Sequence, residues 1–131
     1  MACNDDDTYF YSVGGAVEHG ETAEAAVIRE VWEETGIEYE VERLAFIHEN
    51  FFTDSSGSLA GLDCHEITFY FLMKSQGRLT WQTPKSGNNE RMVWVPIQQF
   101  ETIKAYPRFF ATYLQPLPTT ITHIVTHENN V

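Results

Sequence analysis

Residues 15–37 read GAVEHGETAEAAVIREVWEETGI, and this stretch decides how the rest of the chain is read. From residue 22 to residue 35 it carries good helix formers (Ala23, Glu24, Ala25, Ala26, Glu30, Glu33, Glu34) and no internal Gly or Pro. Gly36 stands where a left-handed C-terminal stop belongs. A helix is therefore predicted over residues 22–35. On a wheel of 100° per residue with Glu30 at zero, Glu34 falls at about +40° and Glu33 at about −60°, so three carboxylates share an arc of roughly 100°. Ala25, Val27, Ile28, Val31 and Trp32 occupy the neighbouring arc of roughly 160°, the face expected to pack on a sheet. Carboxylates this close raise one another's pKa values unless a cation joins them. Hard dications take carboxylate oxygens with an occasional backbone carbonyl, and the Gly14-Gly15 turn brings bare backbone close to such a site. Arg29 falls on the helix flank and Glu21 just ahead of the first turn. An ion pair between them would tie the entering loop to the helix as scaffolding.

Working outward, residues 8–13 are rich in strand formers and run into Gly14-Gly15. Residues 40–52 read as a strand and 53–64 as a polar, glycine-bearing loop. Residues 66–73, EITFYFLM, alternate without a strongly polar face, which predicts a strand covered on both sides. Residues 91–95 read as a shorter strand closed by Pro96, and residues 105–115 as a second helix ended by Pro116 and Pro118. The tail, ITHIVTHE, alternates like an edge strand. Strands and helices intersperse without strict βαβ alternation, so the class is α/β in the broad α+β sense, a mixed sheet with helices packed on it. No repeat or linker divides residues 1–131, and one domain is expected.

The chain has 131 residues, 43 % of them hydrophobic and 14 % aromatic, enough apolar material to offset ordering entropy. Its formal net charge of −11 is concentrated. Residues 1–42 hold twelve acids against the single base Arg29, while the remaining 89 residues hold seven of each sign. Such a field repels phosphate backbones and anionic lipid, so neither nucleic acid nor a membrane is an expected partner. A carboxylate block is either a solvated face or a hard-cation site, and composition leaves both open. No stretch approaches the ~18 consecutive apolar residues of a membrane span. MACNDDDTYF lacks the basic start and apolar run of a secretory signal, which makes a cytoplasmic location the default. Cys3 and Cys64 have no metal-ligand or disulfide spacing.

Gly15, five residues, Glu21, seven residues, then Arg29-Glu30-Val31-Trp32-Glu33-Glu34-Thr35-Gly36-Ile37 matches every fixed position of the Nudix box, G-x5-E-x7-R-E-U-x-E-E-x-G-U with U aliphatic. At average residue usage this match arises by chance roughly once in 10⁹ to 10¹⁰ starts. The chain thus resembles the Nudix hydrolases, and the resemblance implies an αβα sandwich with a mixed sheet. It further implies Mg²⁺- or Mn²⁺-dependent cleavage of a phosphoanhydride in a nucleoside diphosphate linked to another moiety. Carried over by position, Glu30 and Glu34 look like the principal metal ligands, and Glu33 like a third ligand or the water-activating base. The carbonyl of Gly14 is similar to the family's backbone ligand, while Gly15, Glu21, Arg29 and Gly36 hold the box together. A further carboxylate from a distant loop is common in the family; Glu90 is the candidate, with Glu49 and Glu66 behind it. Glu18 occupies a common family choice, and His19 matches no fixed position. The physics agrees, because an acidic cleft attracts a polyphosphate only when loaded with metal.

Phe51, Phe52 and Trp81 are candidates to stack a base, against the commoner reading of strand aromatics as core. His48 and His65 are read as ordinary strand or loop-edge residues. The substrate-binding residues stay unassigned, since the proline and tyrosine that mark two substrate classes are missing: the first proline after the box is Pro84, and no tyrosine falls between Tyr39 and Tyr70. Val13 replaces the usual proline before the double glycine. Thirteen residues before Gly14 are too few for the long strand that relatives place there. The N-terminal strand is expected to be missing or incomplete, residues 1–4 are read as lacking strand character, and a strand donated by another chain would fill the gap. A homodimer agrees with the family's habit. The rival function is a noncatalytic nucleotide- or metal-sensing module on the same fold; an acidic protein-interaction domain would leave the box spacing unexplained.

Overall fold

The computed structural model of the protein describes residues 1–4, 8–55, 57–81 and 90–128. In chain order these form β1 (Ala2–Asn4), β2 (Phe10–Tyr11), α1 (Ala23–Thr35), β3 (Val41–Thr53), β4 (Asp63–Met73), β5 (Glu90–Met92), β6 (Ala105–Tyr106), α2 (Phe110–Tyr113) and β7 (Thr122–Glu128). Two compact units result: Met1–Val41 with Met73–Leu117, and Glu42–Leu72 with Pro118–Val131. The class is α+β with mixed sheets, as the element pattern predicts. Neither described helix is long and apolar enough to cross a membrane.

In the first unit, α1 follows its local signals to within a residue. Thr22 takes extended backbone and its Oγ1 accepts the N–H of Ala25 at 3.1 Å, the side-chain cap that satisfies one orphan donor. Gly36 adopts φ 74° and donates its N–H to the Trp32 carbonyl at 2.8 Å, a left-handed stop that a Cβ would strain. Thr35 is buried, and its hydroxyl donates to Val31 O at 2.7 Å and accepts from Ile37 N–H at 3.2 Å, fixing the exit. The packing face departs from the wheel. Trp32 is 50 % exposed, whereas Ala26, at about −40° among the acids, is buried. Glu30, one turn on from Ala26 along the same side of the helix, lies against Gly15 of the loop ahead of α1.

The sheet of this unit runs β5-β1-β2-β6. β1 lies antiparallel to β5, with Ala2 opposite Met92, Cys3 opposite Arg91 and Asn4 opposite Glu90, and antiparallel to β2 through Ala2 and Tyr11. The expectation that residues 1–4 lack strand character is corrected. Their pairing partners lie ~90 positions away, and the small side chains of Ala2 and Cys3 are buried in the sheet. β5 is shorter than the predicted strand over 91–95, though Val93 N–H still donates to Met1 O at 2.8 Å. The predicted helix over 105–115 is also corrected. Ala105 and Tyr106 pair in parallel with Phe10 and Tyr11, and the helix shrinks to α2. Pro107 biases Tyr106 away from helical backbone, which favours the strand. Phe100, Phe109, Phe110 and Tyr113 then meet edge to face and close an aromatic cluster.

In the second unit the order is β4-β3-β7, with β3 and β7 parallel from Phe46 opposite Thr122 to Phe52 opposite Glu128. The tail is an edge strand, as its alternation predicts. Ala45, Phe46, His48 and Ile124 are buried. The predicted loop over 53–64 narrows, closed by Gly61 N–H on Asp54 O at 2.7 Å and by the Thr53 hydroxyl on Asp63 at 2.9 Å. β4 is not covered on both sides: Ile67 is 56 % and Phe69 44 % exposed, and the strand lies at a sheet edge.

If the Thr22 hydroxyl starts α1, Thr22→Ala should lower unfolding stability by about 1 kcal/mol in urea titrations, and Thr22→Asn should keep nearly all of it. Equal losses in both variants would locate the helix start elsewhere.

Candidate functional site

The N-terminal third of the chain converges on one guanidinium. Arg29 Nε donates to Glu21 Oε2 and Nη2 to Glu21 Oε1, both at 2.9 Å, a bidentate charge-assisted pair. Nη2 also reaches the Ala16 carbonyl at 3.3 Å, while Nη1 donates to Glu30 Oε1 at 2.9 Å and to Glu33 Oε1 at 3.4 Å. Glu21 in turn accepts the Glu18 N–H at 3.0 Å. The predicted Glu21–Arg29 tie is thus formed, and the loop from Ala16 to Glu21 is fastened to α1. The Arg29 hydrogen bonds and the Glu18 N–H hold the Glu21 carboxyl down to about 2. Its hydrogen bonds to Glu21 push the guanidinium of Arg29 further up.

Gly15 is the close approach. A Cβ there would fall on the Glu30 carboxylate, so only glycine lets that side chain lie against the turn. A Cβ at Gly14 would meet nothing within 4 Å, so the tight contact falls on Gly15, one residue beyond the proposed backbone ligand.

Glu34 has the least comfortable position. Its Oε2 is buried with no hydrogen-bond partner among the described residues. Burial, then the charge of Glu90, then that of Glu30, raise its pKa, with a hydrogen bond that protonated Glu34 donates to the Glu90 carboxylate and the charge of Glu33 adding to the rise. Glu30, Glu33, Glu34 and Glu90 therefore share one electrostatic neighbourhood, although Glu90 comes from β5, 56 positions beyond Glu34. β1 fixes that placement by pairing Asn4 with Glu90.

A divalent hard cation fits this donor set: four carboxylates, one buried oxygen without a partner, and a glycine that leaves room beside Glu30. Among the described residues no three such groups are already gathered in ligand geometry. Arg29 engages Glu30 and Glu33, and these two would have to turn to join Glu34.

A NUDIX domain model matches residues 3–114 of the chain. The chain belongs to the NUDIX family. Over 37 residues it is also 54 % identical to a MutT-like protein of Streptomyces ambofaciens, a stretch covering 28 % of this chain and 24 % of that protein. The chain thus matches about a quarter of that relative's length.

The remaining candidates fall elsewhere in this NUDIX chain. Glu49 sits in the second unit and accepts from His123 at 2.6 Å and His65 at 3.0 Å, contacts that hold it below the usual carboxylate range. Glu66 accepts from the Thr68 hydroxyl at 3.3 Å in the same unit. Phe51 stacks between His65, at 4.0 Å, and His127, at 4.8 Å. His48 is buried and bonds Thr126 at 2.7 Å, and burial lowers its pKa. The Glu49 cluster draws on three strands, and no spacing in the sequence announces it. Trp81 stacks on Trp94 at 4.3 Å, and the sequence reading passed over Trp94.

Because its folded pKa lies below the unfolded value of 4.5, Glu21 contributes stability that is present above about 4.5 and lost as the pH falls through about 2. The melting-temperature difference between wild type and Glu21→Gln should be largest above pH 5 and should close near pH 2. A difference that does not vary with pH would mean the carboxylate charge is irrelevant.

Proposed function

We propose that the chain is a metal-dependent hydrolase that cleaves a phosphoanhydride bond in a nucleoside diphosphate linked to another moiety. One observation carries the reading: Glu34 holds a buried carboxylate oxygen without a hydrogen-bond partner among the described residues, in the electrostatic neighbourhood of Glu90, Glu30 and Glu33. Membership of the NUDIX family, and the MutT-like name of the protein sharing 37 residues with it, support a hydrolase.

In this reading Glu30 and Glu34 hold a Mg²⁺ or Mn²⁺ ion with the Gly14 carbonyl. When bound, the cation neutralises diphosphate oxygens and acidifies a coordinated water. Glu33, 46 % exposed, is reachable by solvent and takes the proton of the attacking water or serves as a third ligand. Glu90 faces Glu34 from the opposite element and orients that water. Arg29 and Glu21 stay outside the chemistry and hold the loop against the helix. The partner is a small nucleotide derivative, because the acidic field disfavours nucleic acid.

Removing the Glu34 charge should separate stability from function. In metal-free buffer at pH 7, Glu34→Gln should melt at a higher temperature than wild type, because a buried carboxylate with a raised pKa destabilises the fold once ionised. Wild type alone should then gain stability from millimolar Mg²⁺ or Mn²⁺, by about 2.7 kcal/mol at a hundredfold excess over Kd. No metal-induced shift in wild type would refute the metal site.

For catalysis, a panel of ADP-ribose, NADH, nucleoside triphosphates, diadenosine polyphosphates and nucleotide sugars should yield nucleoside monophosphate or phosphate. The Glu34→Gln rate should fall by at least about two orders of magnitude. Comparable turnover in the variant would refute the role given to Glu34, and no turnover of any substrate would favour the sensing module.

A further inference from the structure

We propose that Glu49, His65 and His123 form a second metal site, one that takes a borderline transition-metal dication of the Zn²⁺ type. All three residues belong to the second unit, and nothing in their chemistry depends on the nucleotide reading. Each comes from a different strand of the β4-β3-β7 sheet: His65 from β4, Glu49 from β3 and His123 from β7. The parallel register sets His123 opposite Ile47 and Val125 opposite Glu49, so strand alternation puts Glu49 and His123 on one face, two positions out of step. Both imidazoles aim Nε2 at the same carboxylate, His65 at Oε1 at 3.0 Å and His123 at Oε2 at 2.6 Å. The His65 ring lies flat against Phe51, with centroids 4.0 Å apart and 13° between the planes, and Phe51 stacks in turn on His127 at 4.8 Å. That stack sets the direction of His65 Nε2 before any ion arrives.

Two imidazoles and one carboxylate make a nitrogen-rich donor set, which suits Zn²⁺ and its first-row neighbours, whereas Mg²⁺ takes oxygen. The spacing is close to what such an ion requires. With bonds of about 2.0–2.1 Å at a tetrahedral angle, the ligand atoms around Zn²⁺ stand roughly 3.3 Å apart. The two contacts here are shorter by roughly 0.3 and 0.7 Å, so an ion entering between the rings and the carboxylate needs only small outward movements. The two nitrogens now meet different oxygens of Glu49, short of ligand geometry, and one swing of His123, whose side chain is 58 % exposed, would gather them. The proton of each neutral ring then moves from Nε2 to Nδ1, which leaves an Nε2 lone pair for the metal and releases no proton. The exposure of both histidines leaves the fourth position of a tetrahedral ion to water.

β4 and β7 flank β3 in the sheet, so one ion on these three side chains ties both outer strands to the central one. A ligand held by the folded sheet and not by the unfolded chain stabilises the fold.

The test is titration of the tag-free, chelator-stripped chain with Zn²⁺, in buffer holding millimolar Mg²⁺ to occupy the hard-cation site. Wild type should bind one Zn²⁺ that Mg²⁺ does not displace, and its melting temperature should rise on binding. His65→Ala and His123→Ala should each weaken Zn²⁺ binding by at least about tenfold, while His127→Ala should stay close to wild type. Thermal unfolding of each metal-free variant checks its fold. A readout on wild type needs no variant: in the ¹⁵N-labelled chain, Zn²⁺ should shift the ring nitrogens of His65 and His123 among the five histidines. Zn²⁺ affinity unchanged in His65→Ala and His123→Ala, full displacement of Zn²⁺ by Mg²⁺, or unmoved His65 and His123 ring nitrogens would each overturn the site.

Discussion

The centre of this protein depends on a shortage of positive charge. Within residues 1–42, Arg29 is the sole basic side chain among twelve acids, and its fork is divided among Glu21, Glu30, Glu33 and the Ala16 carbonyl. A guanidinium has a fixed set of donors in a fixed plane. Once two are committed to Glu21, what remains reaches the near side of the acidic cluster and stops at Glu30 and Glu33. Glu34 and Glu90 lie close enough to raise the Glu34 pKa and receive no hydrogen bond from Arg29. The same geometry that fastens the entering loop to α1 thus creates the local deficit that a dication would fill.

The parts of the fold legible in the sequence are those whose determinants are local. α1 could be read almost to the residue because Thr22, its run of helix formers and Gly36 each act within a turn of where they stand. β1 and β6 could not. Ala2 and Cys3 have modest strand preference, and Ala105-Tyr106 stands at the head of a helix-like run, yet partners many positions distant draw both into a sheet. For β4 the alternation indicates a strand correctly but says nothing of what lies over it. Ile67 and Phe69 resemble core residues and are half exposed at an edge. Apolar character states what burial would gain, and topology decides whether burial occurs.

The site divides in the same way. Glu30, Glu33 and Glu34 share a face because helical periodicity requires it, and the Glu21–Arg29 pair follows from eight residues of separation across one loop. The closeness of Glu90 to Glu34 is a tertiary fact, suggested by resemblance and realised through the β1–β5 register. The packing arc drawn from the wheel does not include Ala26, which is buried on the side of the helix where Glu30 lies against Gly15. Trp94 and the Glu49–His65–His123 cluster carry no spacing signal, since each is assembled from separate segments.

The buried oxygen of Glu34 links stability to function. An unpaired buried acceptor costs about 1–3 kcal/mol, a large share of the stability of a domain this size, and a small rotation toward water would relieve it. The backbone on either side of the pair is held in place. Thr35 and Gly36 fix the exit of the helix immediately after Glu34, and the Asn4–Glu90 pairing holds the opposing acid in place. Within that fixed frame, burial and the neighbouring carboxylates raise the pKa of Glu34. The capped helix and the β1–β5 ladder are each stabilised by contacts outside the carboxylate cluster, which ties the placement of that cluster to the pairing of Ala2 with Met92 and of Cys3 with Arg91.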